Sequence, residues 1–524
     1  MQDDYVKFIR FGQWRIKETG KGILAFITNH GYLDNPTFRG MRQSLMNTFT
    51  DIYIVNLHGN SKKKEVSPDG GKDENVFDIQ QGVAIGIFVK ESGKAGPAKV
   101  YHAELWGLRG EWPNPKPNTK YHTLVETDIA ATSWKELQPN GPFYFFVPRD
   151  EELRPEYEKG WKITDVFPVN STGIITARDA FVIDFESSAI RQRLQTFLDK
   201  SLDDVAVKDQ LSLSENYAWR VSQARKELMT VKEIDSHFAQ ILYRPFDVRQ
   251  VYYHPSVIWR TRKEVMRHLV RNNIALVCPR RVETSGSWQH AICALGIVDH
   301  VAVSLKTIDT VFPLYLYPIE GEMQFKEGRR PNLNPQFIKA VSEKLGLQFV
   351  ADGKGNLQET FGPEDIFNYA YAVFHSPTYR SRYAEFLKID FPRLPLTADK
   401  ELFKALAEKG AELVTLHLME SPALNKLITK YPISGSNLVE KVTYSEPNQR
   451  VYINKSQYFE GIPPEVWNFH IGGYQVCQKW LKDRKGRTLS YDDLTHYQKI
   501  VVALKETIRL MQEIDELIPG WPVG

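Results

Sequence analysis

Cysteine is scarce in this sequence. Cys278, Cys293 and Cys477 are the whole complement of 524 residues. No two of them stand at CxxC spacing, which excludes a disulfide framework and a cysteine-bound structural zinc, and a reducing, cytoplasmic setting is expected. No apolar run approaches the roughly 18 residues of a membrane span. The first residues lack the basic-then-apolar order of a secretory leader. No GxxxxGK[ST] loop is present to cradle a nucleotide phosphate. No serine or cysteine stands in a nucleophile elbow. Histidines such as His30, His58, His290 and His300 lack metal-ligand spacing, so no metal site and no catalytic residue is assigned. No repeat at solenoid spacing is visible. An excess of one charge is missing too: 67 Lys and Arg against 64 Asp and Glu leave a net +3. Any affinity for a polyanion must therefore come from local patches.

What is present is ordinary for a folded chain, with 42% hydrophobic and 25% charged residues, and the length leads us to expect two to four domains. The first 110 residues alternate helix and strand. Tyr5, Phe8, Ile9, Gly12 and Ile16 share one helical face. "ILAFIT" (Ile23 to Thr28) is a short, wholly apolar run, predicted as a strand buried on both faces. A helix follows from Thr37, with Phe38, Met41, Leu45 and Phe49 as its stripe and Arg39 and Arg42 beside it. "DIYIVNL" (Asp51 to Leu57) is the next strand. The charged stretch from His58 to Asn75 is predicted to be mobile. "GVAIGIFVK" (Gly82 to Lys90) follows too closely for a crossover helix, so it is predicted to pair antiparallel. Only a helix precedes the first strand, whereas doubly wound sheets begin with a strand whose following turn holds the ligand. The stretch reads as the rear half of a domain.

Beyond a Pro-rich segment near 110–150, short strands are expected over Trp161 to Phe185 and a helical stretch from Ser188 to Leu228. Strands with one helix near Arg262 to Val270 come next, then a linker over Glu320 to Pro335. Two helices fall within Pro335 to Leu345 and Pro363 to His375. Strands lie near Asn448 to Asn454, and a final helix spans Asp492 to Leu517.

Aromatics make up 12% of the chain, and many stand beside Arg or Lys. Arg249, Arg260, Arg262, Lys263 and Arg267 are interleaved with Tyr243, Phe246, Tyr252, Tyr253 and Trp259, and Arg280 and Arg281 follow. Such alternation suits a surface that tracks a nucleic-acid backbone, where Arg can also fork to guanine. It equally suits ion pairs with Asp247 and Glu264 above a core of aromatics. Lys62, Lys63 and Lys64 form a basic run that is either a phosphate contact or a solvated loop. Arg380 and Arg382 lie in "HSPTYRSRY", as bridges between subdomains or as cations for phosphate. Lys482, Arg484, Lys485 and Arg487 make a dense run that reads as exposed charge able to grip phosphate.

The order strand, loop, helix, strand, charged loop, antiparallel strand resembles the second half of an adenine-specific DNA methyltransferase domain. "GILAFITNHGYLDNPTFRGMRQSLM" and "ENVFDIQQGVAIGIFVK" look like the motifs that follow the catalytic tetrapeptide of those enzymes. "FHSPTYRSRYAEFLKIDFPRLPL" and "GIPPEVWNFHIGGYQVCQKWLKDRKGRTLSYDDLTHYQKIV" resemble the C-terminal specificity region of Type ISP restriction-modification enzymes. Those are single long chains of nuclease, helicase, methyltransferase and target-recognition parts, and the resemblance covers essentially this whole chain.

The resemblance implies an α/β fold: a partial doubly wound methyltransferase-like sheet over 1–150, then a mixed α+β target-recognition region over 151–400 and 401–524. It implies double-stranded DNA as partner and S-adenosylmethionine as cofactor, although the main cofactor-binding motif is absent from this chain. The Asn-Pro-Pro-Tyr tetrapeptide that receives the amine of a flipped adenine is absent as well. "DNP" at Asp34 to Pro36 is followed by Thr37 and Phe38 and does not replace it. Methyl transfer would then need a separate chain or an upstream segment carrying the first half. A start at Met1 is compatible with a split gene, a truncated relic or an engineered fragment. Phe77 matches the aromatic that stacks on the flipped base in the family; read by itself, it is a core residue at a strand start. The rival to DNA recognition is a protein-interaction or relic fragment that binds no DNA.

Overall fold

The computed structural model describes residues 3–63, 65–94, 96–282, 287–318 and 328–523. The chain divides into two units, one ending at Glu152 and one beginning at Leu153.

In the first unit, helix α1 (Asp4–Thr19) buries Ile9, Gln13 and Ile16. It stops at Gly20, whose left-handed φ of 77° lets its N–H reach the Ile16 carbonyl, the usual glycine exit from a helix. A Cβ on Gly12 would lie 2.4 Å from Leu24, so α1 rests directly on strand β1 (Gly22–Asn29). Helix α2 (Arg39–Thr48) leads into β2 (Asp51–Asn56). Strand β3 (Val83–Lys90) pairs antiparallel with both β1 and β2, as the short connection required. Strand β4 (Lys99–Glu104) is parallel to β2, and β5 (Lys135–Leu137) closes the order β1-β3-β2-β4-β5. The α/β class expected from the sequence is the one observed.

One face of this sheet is covered. Leu24, Phe88, Ile52 and Val100 are aligned across it and share a core with Ile9 and Ile16 of α1 and Leu45 and Met46 of α2. Side chains alternate across the pleat, so Ile23, Ile27, Ile87, Tyr53 and Tyr101 lie on the other face. There Tyr53 and Tyr101 stack at 4.9 Å, and Trp134 meets Tyr53 edge-on at 5.2 Å. Ile23 and Ile27 remain 69% and 50% exposed. This corrects the expectation that "ILAFIT" is buried on both faces: α1 and α2 contribute to a single core, and among the described residues of the first unit no second layer covers Ile23 and Ile27.

The second unit has one continuous core, reaching from Tyr157 to Val523. The helical stretch expected from Ser188 to Leu228 is broken into Ser187–Leu198 (helix α3), Asp204–Gln210 and Val221–Leu228 (helix α4). The buried guanidinium of Arg225 donates to the carbonyls of Phe197, Asp199 and Leu202. It thereby satisfies carbonyls that the end of α3 leaves open and fixes the break.

Two four-stranded sheets follow. In one, β8 (Phe238–Arg244) and β9 (Asp247–Tyr252) form a hairpin between β7 (Ile183–Asp184) and β12 (Ile297–Val298). In the other, β10 (Ile274–Pro279) lies between β11 (Ile292–Leu295) and β13 (Asp309–Pro313), with β6 (Ser171–Thr172) beyond β13.

The helix expected within Pro363 to His375 is α5 (Pro363–His375). Asp365 accepts from the N–H of Gly362 at 2.8 Å at its start. It packs on α6 (Lys400–His417) so closely that a Cβ on Gly410 would sit 1.8 Å from the Asn368 carbonyl. Residues on either side of 400 therefore share one core. Helix α7 (Val476–Lys482) and the long α8 (Tyr491–Leu517), opened by a Ser490–Asp493 capping box, complete the unit. Of the linker expected over 320–335, residues 320–327 lie outside the described residues; in the rest, Arg330–Pro331 pairs antiparallel with Tyr315–Leu316. No helix among the described residues is long and apolar enough to cross a membrane.

Candidate nucleic-acid interface

Ligands of open α/β sheets gather at the carboxyl ends of the strands, and in the first unit those ends carry a polar cluster. His30 follows β1, Asn56 ends β2, and Glu104 ends β4. His30 Nδ1 lies 3.0 Å from Asn56 Oδ1, and Asn60 Nδ2 lies 3.2 Å from His30 Nε2. An amide nitrogen only donates, so Nε2 accepts and the proton sits on Nδ1. Burial holds this imidazole below its ordinary pKa, consistent with the neutral tautomer.

His58 behaves oppositely. It adopts a left-handed φ of 53°, and its ring stacks on Trp106 at 3.3 Å. Its nitrogens lie 3.9 Å from Glu65 and 3.6 Å from Glu104, distances of ion pairs rather than hydrogen bonds. Burial alone would lower its pKa; the two carboxylates outweigh burial and leave it raised.

The loop leaving this cluster, predicted to be mobile, is anchored at both ends. The Lys120 ammonium is fully buried with the Asp73 carboxylate at 2.7 Å. It also donates to the carbonyls of Leu57 at 2.7 Å and Glu74 at 2.6 Å, so all three of its protons are used. Asp73 in turn accepts from the N–H groups of Gly59 and Gly107. Further along, Asn75 accepts from the Phe77 N–H at 2.9 Å and donates to Gln81 at 2.6 Å. Val76 is buried, while Phe77 is 45% exposed with Ile79 beside it. Phe77 is therefore an outward aromatic on a fixed turn, not a core residue. Nothing in the sequence singled out Lys120, whose partner Leu57 lies 63 positions away.

In the second unit, two basic runs far apart in sequence meet. Asp247 accepts from Arg249 Nη2 at 2.7 Å and from Arg484 Nη2 at 2.9 Å. Arg249, Arg484 and Arg487 hold their guanidinium carbons 4.2, 4.7 and 3.9 Å from the Phe185 ring. Burial acts to raise the Asp247 pKa, but Arg484 and Arg249 prevail and keep it below the ordinary value. Elsewhere in this unit, Arg260 and Lys263 are exposed. Arg262 is half-buried with a left-handed φ of 50°, and Arg267 reaches the Tyr317 carbonyl at 3.4 Å.

Three candidates are corrected to structural roles. Arg42 is fully buried and spends its guanidinium on the carbonyls of Tyr32, Asn35 and Phe143. Arg380 is buried and donates to the Phe374 carbonyl at 2.6 Å. Arg484 is buried on Asp247. Each has its charge committed internally, so none is available to phosphate. Arg382 is likewise engaged, forking to Glu156 at 2.7 and 2.8 Å.

Among the rest, Arg280 pairs with Asp390 at 3.0 Å, and Arg281 is half-buried. Lys482 is exposed and donates to Gln478, and Lys485 is exposed. In the first unit Arg39 and Lys62 are exposed, and Lys63 lies 3.7 Å from Asp34. Lys64 is outside the described residues. Among the described residues no group of His, Cys, Asp and Glu is placed to hold a metal.

The model of the Type ISP C-terminal specificity domain matches residues 165–513. Three solved structures share the fold. The ATP-dependent Type ISP restriction-modification enzyme LlaBIII bound to DNA matches with a TM-score of 0.74 and 19% identity, covering 100% of this chain and 34% of that one. A nuclease-deletion mutant of the Type ISP enzyme LlaGI in complex with a DNA substrate mimic matches at 0.68 and 21%, covering 98% and 40%. The DrdV–DNA complex matches at 0.71 and 20%, covering 98% and 52%. The chain thus spans between about a third and a half of the length of the structures it matches. No curated protein matches it.

Proposed function

The chain belongs to the family defined by the Type ISP C-terminal specificity domain, and from that premise we propose that it is the DNA-reading part of an adenine-specific restriction-modification methyltransferase. The carrying observation is the family match over residues 165–513. The relatives of the same fold solved with DNA and the exposed cations of the second unit support it. In this reading the second unit holds duplex DNA and reads a short asymmetric sequence, while Phe77 in the first unit stacks on the flipped adenine. A pinned turn suits that task, because base–aromatic stacking returns about 1–3 kcal/mol only if the ring is held in place.

In this reading the described residues do not make up a seat for S-adenosylmethionine. The carboxyl end of β1 is filled by the His30 ring, against which a Cβ on Gly82 would come within 2.4 Å. Cofactor and catalytic tetrapeptide are assigned to a further half of the methyltransferase, in a longer enzyme or on a separate chain. The bare sheet face at Ile23 and Ile27 supports that assignment, since a doubly wound sheet carries a layer on each face. The same face is what favours the rival, an interaction fragment without DNA binding. The setting is read as cytoplasmic, in keeping with three buried free thiols.

The test is selection from a random duplex library by the full chain. Enrichment of one short asymmetric sequence is the expected result. Recovery of the starting library unchanged overturns the reading and leaves the rival.

A further inference from the structure

A cleft of about 590 Å³ opens in the second unit where the start of β8, the segment after the short helix Lys263–Met266 and the β11–β12 turn meet. Its cationic side carries Lys263, Arg267 and Arg271 at four-residue intervals. Its apolar wall is Phe238, Leu295 and Ile297. No carboxylate among the described residues lines it; Glu264, next to Lys263 in the same short helix, is not part of the lining.

Lys263 has no ion-pair partner among the described residues. Arg267 makes one long contact with the Tyr317 carbonyl at 3.4 Å, and Arg271 lies 5.4 Å from the Tyr317 ring. Tyr317 thus fixes two of the three cations without neutralising either. Elsewhere this chain meets its clustered arginines with carboxylates, as Asp247 does for Arg249 and Arg484. Three neighbouring like charges left uncompensated among the described residues repel one another, and a bound anion relieves that repulsion. The size falls in the range of ligand sites, about 300–1,000 Å³. The pairing of cations with an apolar wall suits a group carrying both a phosphate and a ring.

We propose that this cleft seats one phosphate-linked nucleotide of a bound DNA strand, its phosphate on Lys263, Arg267 and Arg271 and its sugar and base against Phe238, Leu295 and Ile297. The proposal rests on the DNA-reading function above and adds to it a place and a stoichiometry. Lys263 and Arg271 are exposed, so their removal spares the core.

The experiment compares the full chain with a variant carrying Lys263→Gln, Arg267→Gln and Arg271→Gln, by duplex-binding anisotropy over a range of salt. One seated phosphate is worth about 0.9 in the slope of log affinity against log salt. The expected result is a slope shallower by about that amount, with affinity lowered alike for all sequences. Melting curves accompany it; should the triple variant fail to fold, the single changes Lys263→Gln and Arg271→Gln carry the test.

If wild type binds with a steep salt response and the variants share its slope, the cleft is not a phosphate seat and the DNA-reading function stands. If wild type binds no DNA, both fall. A second arm titrates free deoxyadenosine monophosphate by calorimetry. Binding of that probe lost in the variant, with the DNA slope unchanged, would mean a free nucleotide is the ligand and would overturn the strand seat.

Discussion

Replacing Asp247 with alanine isolates a buried charge cluster of the second unit. Its side chain is 1% exposed, and those of Arg249 and Arg484 are 12% and 5% exposed. The carboxylate takes two charge-assisted hydrogen bonds from Arg249 and one from Arg484. Asp247→Ala leaves the Arg249 and Arg484 guanidiniums crowded on Phe185 with only the long 3.9 Å contacts to Asp483 and Asp493 as counter-charge. Breaking a buried pair by removing one partner costs about 3–5 kcal/mol, because the surviving charge stays desolvated. At about 2 °C per kcal/mol for a large domain, the melting temperature of the second unit should fall by on the order of 6–10 °C. Calorimetry on the full chain measures it. Asp247→Asn should lose less, since it still accepts a hydrogen bond. Substituting methionine for Arg249 and Arg484 together with Asp247→Leu should recover most of the loss, as apolar replacements of buried ion networks commonly do. The Asp247 pKa is depressed in the fold, so its contribution is present above the ordinary carboxylate value near 3.8 and is lost as pH falls through the depressed one. A melting temperature for Asp247→Ala within 2 °C of wild type would refute the reasoning and mean that water reaches these guanidiniums.

Phe77→Ala should leave the melting temperature nearly unchanged, because the ring is an exposed one. In an enzyme completed with its first half it should slow methyl transfer about ten- to a hundredfold, from about 1–3 kcal/mol of lost stacking, with Phe77→Trp retaining much of the rate; unfolding by Phe77→Ala would make it a packing residue. Lys120→Met should destabilise the first unit by about 3–5 kcal/mol by stranding the buried Asp73, and amide exchange should quicken across residues 57–82; unchanged exchange would mean the loop is held by other contacts. His58 should titrate above 6.5 by NMR, since Glu104 and Glu65 raise it. Its raised pKa makes the stabilisation full below about 6.5 and lost as pH rises through the folded value; a midpoint below 6.5 would mean that burial prevails.

Local signals in the sequence were enough for the helices at 363–375 and 491–517, because their starts carry proline or a capping box and their apolar residues repeat at helical spacing. The antiparallel third strand was legible from connection length alone. The covered and bare faces of β1 were not, because both carry apolar residues and which is buried depends on layers elsewhere. Charge was the poorest guide. Arg42 and Arg484 read as surface cations and Arg380 as either a bridge or a phosphate cation, yet each is spent inside. Asp247 lies 237 positions from Arg484, a pairing that no local pattern encodes. Lys120 was missed for the same reason. Phe77 was found through motif resemblance, and only the structure distinguished its outward ring from a packed one.

The most direct measurement of the central claim is binding of duplex DNA by the purified full chain, titrated from low to high salt. The expected result is a linear fall of log affinity with log salt, with a slope set by several phosphates at about 0.9 each. No binding at low salt, or an affinity indifferent to salt, would contradict the account and leave the bare sheet face of an interaction fragment as the better reading.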